Sequence, residues 1–189
     1  MGRVQLFDTT AAVASARDVF WIKGYSAASL PDLEAATGIG RSSLYHAFTN
    51  KRGLFDAAVQ NYLDTVIRPR LRVLTEPDGI DKYFERLESA VATHRGCLLV
   101  NAATESDAHD NRAVAAVREY RRELTDHIAG AMRQQCPHWE ASTIERRANV
   151  LTAMSISANV LSRIDVGDAA ATARAARAQY AEWLNDSGL

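Results

Sequence analysis

The sequence is short of residues that interrupt regular structure. Glycine occurs 10 times and proline 4 times in 189 residues, and the stretches between them space their apolar residues with a helical rather than an alternating period. No convincing strand pattern appears, so the fold is read as all-α. Cysteine is nearly absent: Cys97 and Cys136 lie too far apart to suggest a disulfide framework or a metal knuckle. No run approaches the roughly 18 apolar residues a membrane span requires. Met1 to Thr10 contains no apolar core of leader length. The expectation is a cytoplasmic protein with no membrane partner. No phosphate-binding loop, metal-ligand spacing or nucleophile elbow occurs, so no cofactor, metal or catalytic residue is expected. Cys97 with His94, His127, and the carboxylates Glu105 and Asp107 form no recognisable catalytic constellation. A small all-α enzyme remains the alternative class, and turnover of any substrate would favour it.

A strong net charge is also missing. The total is −1, so a partner such as DNA must be met by charge gathered locally. Residues 1–52 carry Arg3, Arg17, Lys23, Arg41, Lys51 and Arg52 against Asp8, Asp18, Asp32 and Glu34, a net +2, which leaves −3 for the remainder.

What is present is a series of short helices followed by longer ones. Val13, Ala16, Phe20 and Lys23 share one face of a first helix that stops at Gly24. Ser29 caps a second, Leu30 to Thr37, with Pro31 tolerated in its first turn. Gly38-Ile39-Gly40 breaks it, and a third helix runs from Arg41 to Phe48. A fourth is expected from about Asn50 to Leu74, kinked or split at Pro69. Further helices are expected over Asp81–Thr93, Gly96–Glu105, Arg112–Gln135, Ser142–Ile164 (Ser142 as cap, Glu145 completing a capping box) and Asp168–Leu184. No linker or solenoid repeat interrupts them. Two domains are read: 1–52, and 53–189.

The segment from Ser29 to Lys51 is a helix, a glycine turn and a second helix. Leu33, Ala36, Ile39, Leu44 and Phe48 can pack inward against Phe20, with Ala36 small enough for the helices to cross closely. Arg41, Ser42, Ser43, Tyr45 and His46 are then left outward near the start of the third helix, which is the part a helix-turn-helix presents to base edges. Arg41 can donate twice to guanine O6 and N7, roughly 1–3 kcal/mol of discrimination. Ser42 and Ser43 let the backbone approach, and Tyr45 can reach a phosphate. Lys51 adds charge beside the start of the fourth helix, and Ser29 lies where the second helix could meet a phosphate.

This segment resembles the TetR family of repressors. The family pattern is matched by Gly38, Leu44-Tyr45, Phe48 and Lys51, with Phe20 and Gly24 also in register, over about residues 8–55. The resemblance implies an N-terminal three-helix DNA-binding domain followed by a helical sensor and dimerisation domain. It places Arg41, Ser42, Ser43, Tyr45, His46 and Lys51 at positions that contact double-stranded operator DNA. Pro31 and Glu34 depart from the pattern, the first removing a polar contact and the second replacing a small residue.

The last two helices supply a dimer surface. Val150, Leu151, Ala153, Met154, Ile156, Val160, Leu161 and Ile164 spread around most of one helix, and the final helix is rich in alanine. An intramolecular core is the competing explanation. Tyr62, Val66, Tyr83, Phe84, Leu87, Leu98, Trp139 and Met154 suit either an apolar pocket for an unidentified small-molecule effector or ordinary packing. Arg95-Gly96-Cys97-Leu98-Leu99-Val100-Asn101 resembles a segment in a TetR subset, some of whose members sense electrophiles through a cysteine. Cys97 beside Arg95 and a helix start is the corresponding candidate thiol, a small buried hydrophobe being the alternative. The expected function is a repressor released from a palindromic operator by such an effector or by modification of Cys97. An activator or a ligand-independent regulator is the runner-up.

Overall fold

The computed structural model describes residues 8–105 and 111–186. All regular structure among them is helical. Contacts divide the chain into two compact units, one ending at Ile67 and the other beginning at Arg68.

The first unit contains α1 (Thr9–Lys23), α2 (Leu30–Thr37), α3 (Arg41–Phe48) and α4 (Lys51–Tyr62). Each boundary has a local cause. Asp8 caps α1 by accepting from the Thr10 amide at 2.8 Å. Gly24 ends it, its N–H donating to the Phe20 carbonyl at 2.9 Å. Ser29 and Asp32 form a reciprocal capping box on α2, and Gly38 closes that helix in the left-handed region at φ 69°. α1 packs against α2 and α4, and α3 against α4. The core holds Val13, Ala16, Phe20, Leu33, Ile39, Leu44, Leu54 and Phe55, with the Phe20 and Phe55 rings edge to face at 5.1 Å. Ala36 is exposed rather than inward, and Phe48 is only half-buried. Ile39, which follows the left-handed step at Gly38, is buried as expected.

The corner between α3 and α4 is tight. Thr49 sits at φ 70°, ψ −48°, and the Asn50 amide donates to the Phe48 carbonyl at 2.8 Å, a γ-turn. Asn50 then caps α4 through the Gly53 amide at 2.9 Å. Gly53 is held so close beneath α3 that a Cβ there would lie 2.0 Å from the Phe48 carbonyl oxygen.

The break expected in the fourth helix is present, but it falls ahead of Pro69 rather than at it. α4 gives way to a π-turn over Leu63–Ile67, ahead of Pro69. Pro69 has no N–H for the carbonyl of Thr65 and its ring crowds that carbonyl, so the turn before it widens. Side chains hold the widened turn: Thr65 Oγ1 donates to the Asn61 carbonyl at 2.7 Å. Arg17 of α1 donates to Asn61 Oδ1 at 2.9 Å and Thr65 Oγ1 at 3.0 Å.

The second unit opens with α5 (Arg68–Arg72) and a 3₁₀ turn, then α6 (Gly79–Val91), α7 (Leu98–Glu105), α8 (Asn111–Gln135), α9 (Ala141–Leu161) and α10 (Val166–Asn185). α10 lies across both α6 and α9, and α8 packs on α9 and α7. The interior is built from Tyr83, Phe84, Leu87, Leu98, Tyr120, Leu124, Ile128, Met132, Leu151 and the alanines Ala169, Ala173 and Ala176. The buried Tyr83 hydroxyl is 2.8 Å from Ser155 Oγ, and burial pushes the phenol's pKa up. Arg177 grips Asp81 with two bonds of 2.8 Å across α10 and α6. Ser142 does not cap α9: Glu140 occupies that position, with no side-chain cap bond.

Candidate nucleic-acid interface

α3 is a short helix pinned by one buried residue, Leu44. Its other early residues are turned away from the core: Arg41, Ser42, Ser43 and His46 are exposed and Tyr45 is half-buried. The Arg41 guanidinium lies 5.6 Å from the centre of the Tyr45 ring, and it makes no ion pair among the described residues. One helix face thus presents a guanidinium, two hydroxyls, a phenol and an imidazole. These are donor and acceptor groups of the kind that base edges and phosphates require.

Lys51 and Ser29 belong to neighbouring elements. The Lys51 ammonium at the start of α4 sits 4.8 Å above the Tyr25 ring and 3.4 Å from the Ser26 carbonyl. Arg52 follows it, 2.9 Å from Asp56 and 5.9 Å from the same Tyr25 ring. Tyr25 therefore carries two cations on its π-system, a role the sequence pattern does not reveal. Ser29 is exposed, but its hydroxyl is occupied: it donates to Asp32 Oδ2 at 2.7 Å and accepts from the Asp32 amide at 3.3 Å.

Two carboxylates shape this face. Asp32 receives the Lys23 ammonium at 2.6 Å, and that bond, followed by those from Ser29, holds its pKa down to about 2. The start of α2 thus already contains a fixed anion. At the start of α3 the cap residue is Gly40, which has no side chain to offer. Glu34 of α2 reaches this helix start instead, its carboxylate accepting the first amide of α3, the Arg41 backbone N–H. No local motif announces this bond, since the partners are separated by the glycine turn.

Cys97 lies in the second unit, immediately before α7, and is fully buried. Its carbonyl accepts the Asn101 amide at 2.9 Å, and the Asn101 side chain donates to the Arg95 carbonyl at 3.0 Å. Cys136 is buried as well, and burial raises its pKa. Among the described residues no cluster of metal-ligating side chains occurs, and no helix is long and apolar enough to cross a membrane.

The chain is similar to known proteins. Residues 12–58 match the model of bacterial regulatory proteins of the tetR family. The HTH-type transcriptional repressor ComR of Escherichia coli is 31% identical over 172 residues, 83% of this chain and 82% of ComR. An HTH-type transcriptional regulator of Bacillus subtilis, YezE, is 32% identical over 133 residues, 67% of this chain and 69% of that protein. Among solved structures, a cysteine mutant of the TetR family regulator CifR, complexed with 26 bp double-strand operator DNA, superposes with a TM-score of 0.76. It is 28% identical, covering 93% of this chain and 98% of CifR.

Proposed function

The chain belongs to the TetR family of bacterial regulatory proteins, and from that membership we propose a dimeric repressor that grips a palindromic operator. It is a DNA-binding transcriptional regulator of a family that works by binding rather than by catalysis. Residues 1–52 are proposed as the DNA-reading module, braced by α4, and the rest as the sensor and dimerisation module. The observation that carries the reading is the exposed Arg41, Ser42, Ser43 and His46 surface on a helix whose opposite side is anchored by Leu44. A bundle that needed α3 only for packing has no use for it. In this reading Arg41, Ser42 and Ser43 meet base edges, Tyr45 and His46 flank them, and Lys51 and Ser29 lie toward phosphates. The protein acts in the cytoplasm, where its operator is.

One recognition helix reads only a few base pairs, so two are needed about 34–36 Å apart. Support for the second copy comes from α9 and the residues just after it. Val150, Ala153, Ser157, Val160 and Ile164 are all exposed, Ile164 by 76%. Their spacing of three and four residues lays them in one stripe of apolar and small side chains. Ala171, Ala175 and Ala178 of α10 are exposed as well and allow a close approach. We place the homodimer contact there.

Release from DNA is assigned to a small-molecule effector bound in the second unit. Such a ligand acts only through its different affinity for the DNA-bound and free states. Modification of Cys97 is the alternative trigger, and its complete burial means that the segment before α7 must open first.

Anisotropy titration of a duplex selected by the protein from a random-sequence pool tests the reading. The expected results are an inverted repeat, an affinity at least about 10³ above random DNA, and a steep fall with salt. Equal binding to selected and random duplexes would refute it.

A further inference from the structure

Glu34 joins two observations on the α3 surface that the DNA-binding reading alone leaves unused. First, its carboxylate accepts the first amide of α3, Arg41 N–H, at a helix start whose cap residue, Gly40, has no side chain. Gly38 and Gly40 stand in open space, with nothing within 4 Å of a Cβ at either position. The two glycines themselves make no packing contact, Ile39 between them anchors the turn in the core, and the Arg41 amide bond to Glu34 is a second strap across it. Second, the charge of Glu34 is not neutralised by an ion pair among the described residues. A negative charge stands beside Arg41, Ser42 and Ser43, on the end of the helix proposed to enter the groove.

DNA held without regard to sequence is held through its phosphates. A carboxylate on the contact face opposes that grip, and one unit charge about 4 Å from a phosphate in water-like surroundings changes affinity by a factor of about five. In the major groove the surroundings differ. Cytosine N4 offers an amino donor there, which Glu and Asp accept. The bond to the Arg41 amide leaves lone pairs on Glu34 able to take it. The same charge thus opposes one complex and fits the other.

We propose that Glu34 is a specificity-determining residue: its carboxylate, strapped to the start of α3, weakens binding to DNA gripped by phosphates alone and accepts from a cytosine amino group in the operator. The proposal rests on the DNA-binding function and adds a device that rejects wrong sites by charge.

Glu34→Gln keeps the acceptor for the Arg41 amide and removes the charge. Affinities of wild type and variant are measured on the selected operator and on a random duplex of equal length, with thermal melting as a control for folding. The variant is expected to bind the random duplex about fivefold more tightly and the operator less than about twofold more tightly. It is also expected to lose the preference for cytosine at one symmetric operator position. Glu34→Asp, which keeps the charge, provides a second readout: its random-duplex affinity stays within about twofold of wild type. A merely structural role would move both duplexes by the same factor. Equal shifts on the two duplexes, or an unchanged random-duplex affinity in Glu34→Gln, would overturn the proposal and leave the regulator intact. A wild type that does not discriminate at all would instead sink the DNA-binding reading.

Discussion

Replacing Gly53 by alanine puts the α3–α4 corner to a direct test. In most helices this change is favourable by about 1 kcal/mol, because alanine restricts the unfolded chain and suits the helix. At position 53 the new Cβ would stand 2.0 Å from the Phe48 carbonyl oxygen and 3.2 Å from its carbon. Both are backbone atoms, so no side chain can rotate aside. Relief requires the end of α3 and the start of α4 to separate. Overpacking of that kind costs roughly 1–3 kcal/mol, and the shift also disrupts the Asn50 cap on the Gly53 amide, worth about 1 kcal/mol. Set against the propensity gain, the net expectation is a loss of about 2 kcal/mol. Gly130 provides the internal control. It lies within α8 with nothing within 4 Å of an added Cβ, so Gly130→Ala is expected to stabilise by about 1 kcal/mol. Urea unfolding followed by circular dichroism measures both, provided the m values match. A Gly53→Ala protein as stable as wild type would show that α3 and α4 do not meet as described.

Other consequences are equally open to measurement. Thr49→Gly removes a β-branched residue from φ 70°, where strain is of order 1–3 kcal/mol; after glycine's own entropy cost the variant is expected to gain about 1 kcal/mol in urea titration. Asp32 titrates near 2 in the folded chain against an ordinary 3.8. Its contribution to stability is therefore complete above about pH 4 and lost as pH falls toward 2. The acid limb of a pH–stability curve should flatten in Asp32→Asn. Arg41→Ala is expected to weaken operator binding roughly 5- to 150-fold, the range for a lost bidentate base contact, while random-duplex binding falls far less. Ile164→Asp places a charge in the exposed stripe that α9 begins, and sedimentation should show a shift from dimer to monomer without loss of helical content.

Where the sequence was legible, the signals were local. Gly24, Ser29, Gly38 and Asn50 each mark a helix end through their own backbone or side-chain chemistry, so the sequence alone ends α1 and delimits α2 and α3. The exposed residues of α3 followed from the same register. Non-local effects were not legible. Ala36, expected inward, is exposed, while Leu33 and Ile39 on either side of it fill the core. The π-turn over Leu63–Ile67 reflects Pro69 acting together with Arg17, a residue of a different helix. Ser142 has the right chemistry for a cap but the wrong position. The turn after Cys136, closed by the Trp139 amide on the Cys136 carbonyl at 3.0 Å, starts α9 at Ala141 and so sets its cap at Glu140. The bond from Glu34 to Arg41 crosses the glycine turn, and no spacing rule predicts it.

Because α3 borrows its cap from another helix, the identities of residues 34 and 40 are tied. Introducing serine, threonine or aspartate at Gly40 would give the start of α3 a side-chain acceptor for the Ser42 or Ser43 amide, so the helix start would depend less on the Arg41 amide bond to Glu34, and Glu34 could then be shortened at lower cost. Relatives that carry such a residue at the equivalent of position 40 should accordingly tolerate small or apolar residues at the equivalent of position 34. Those with glycine there should keep a long acceptor. The two positions are expected to drift through evolution as a pair, although a change of chain direction separates them.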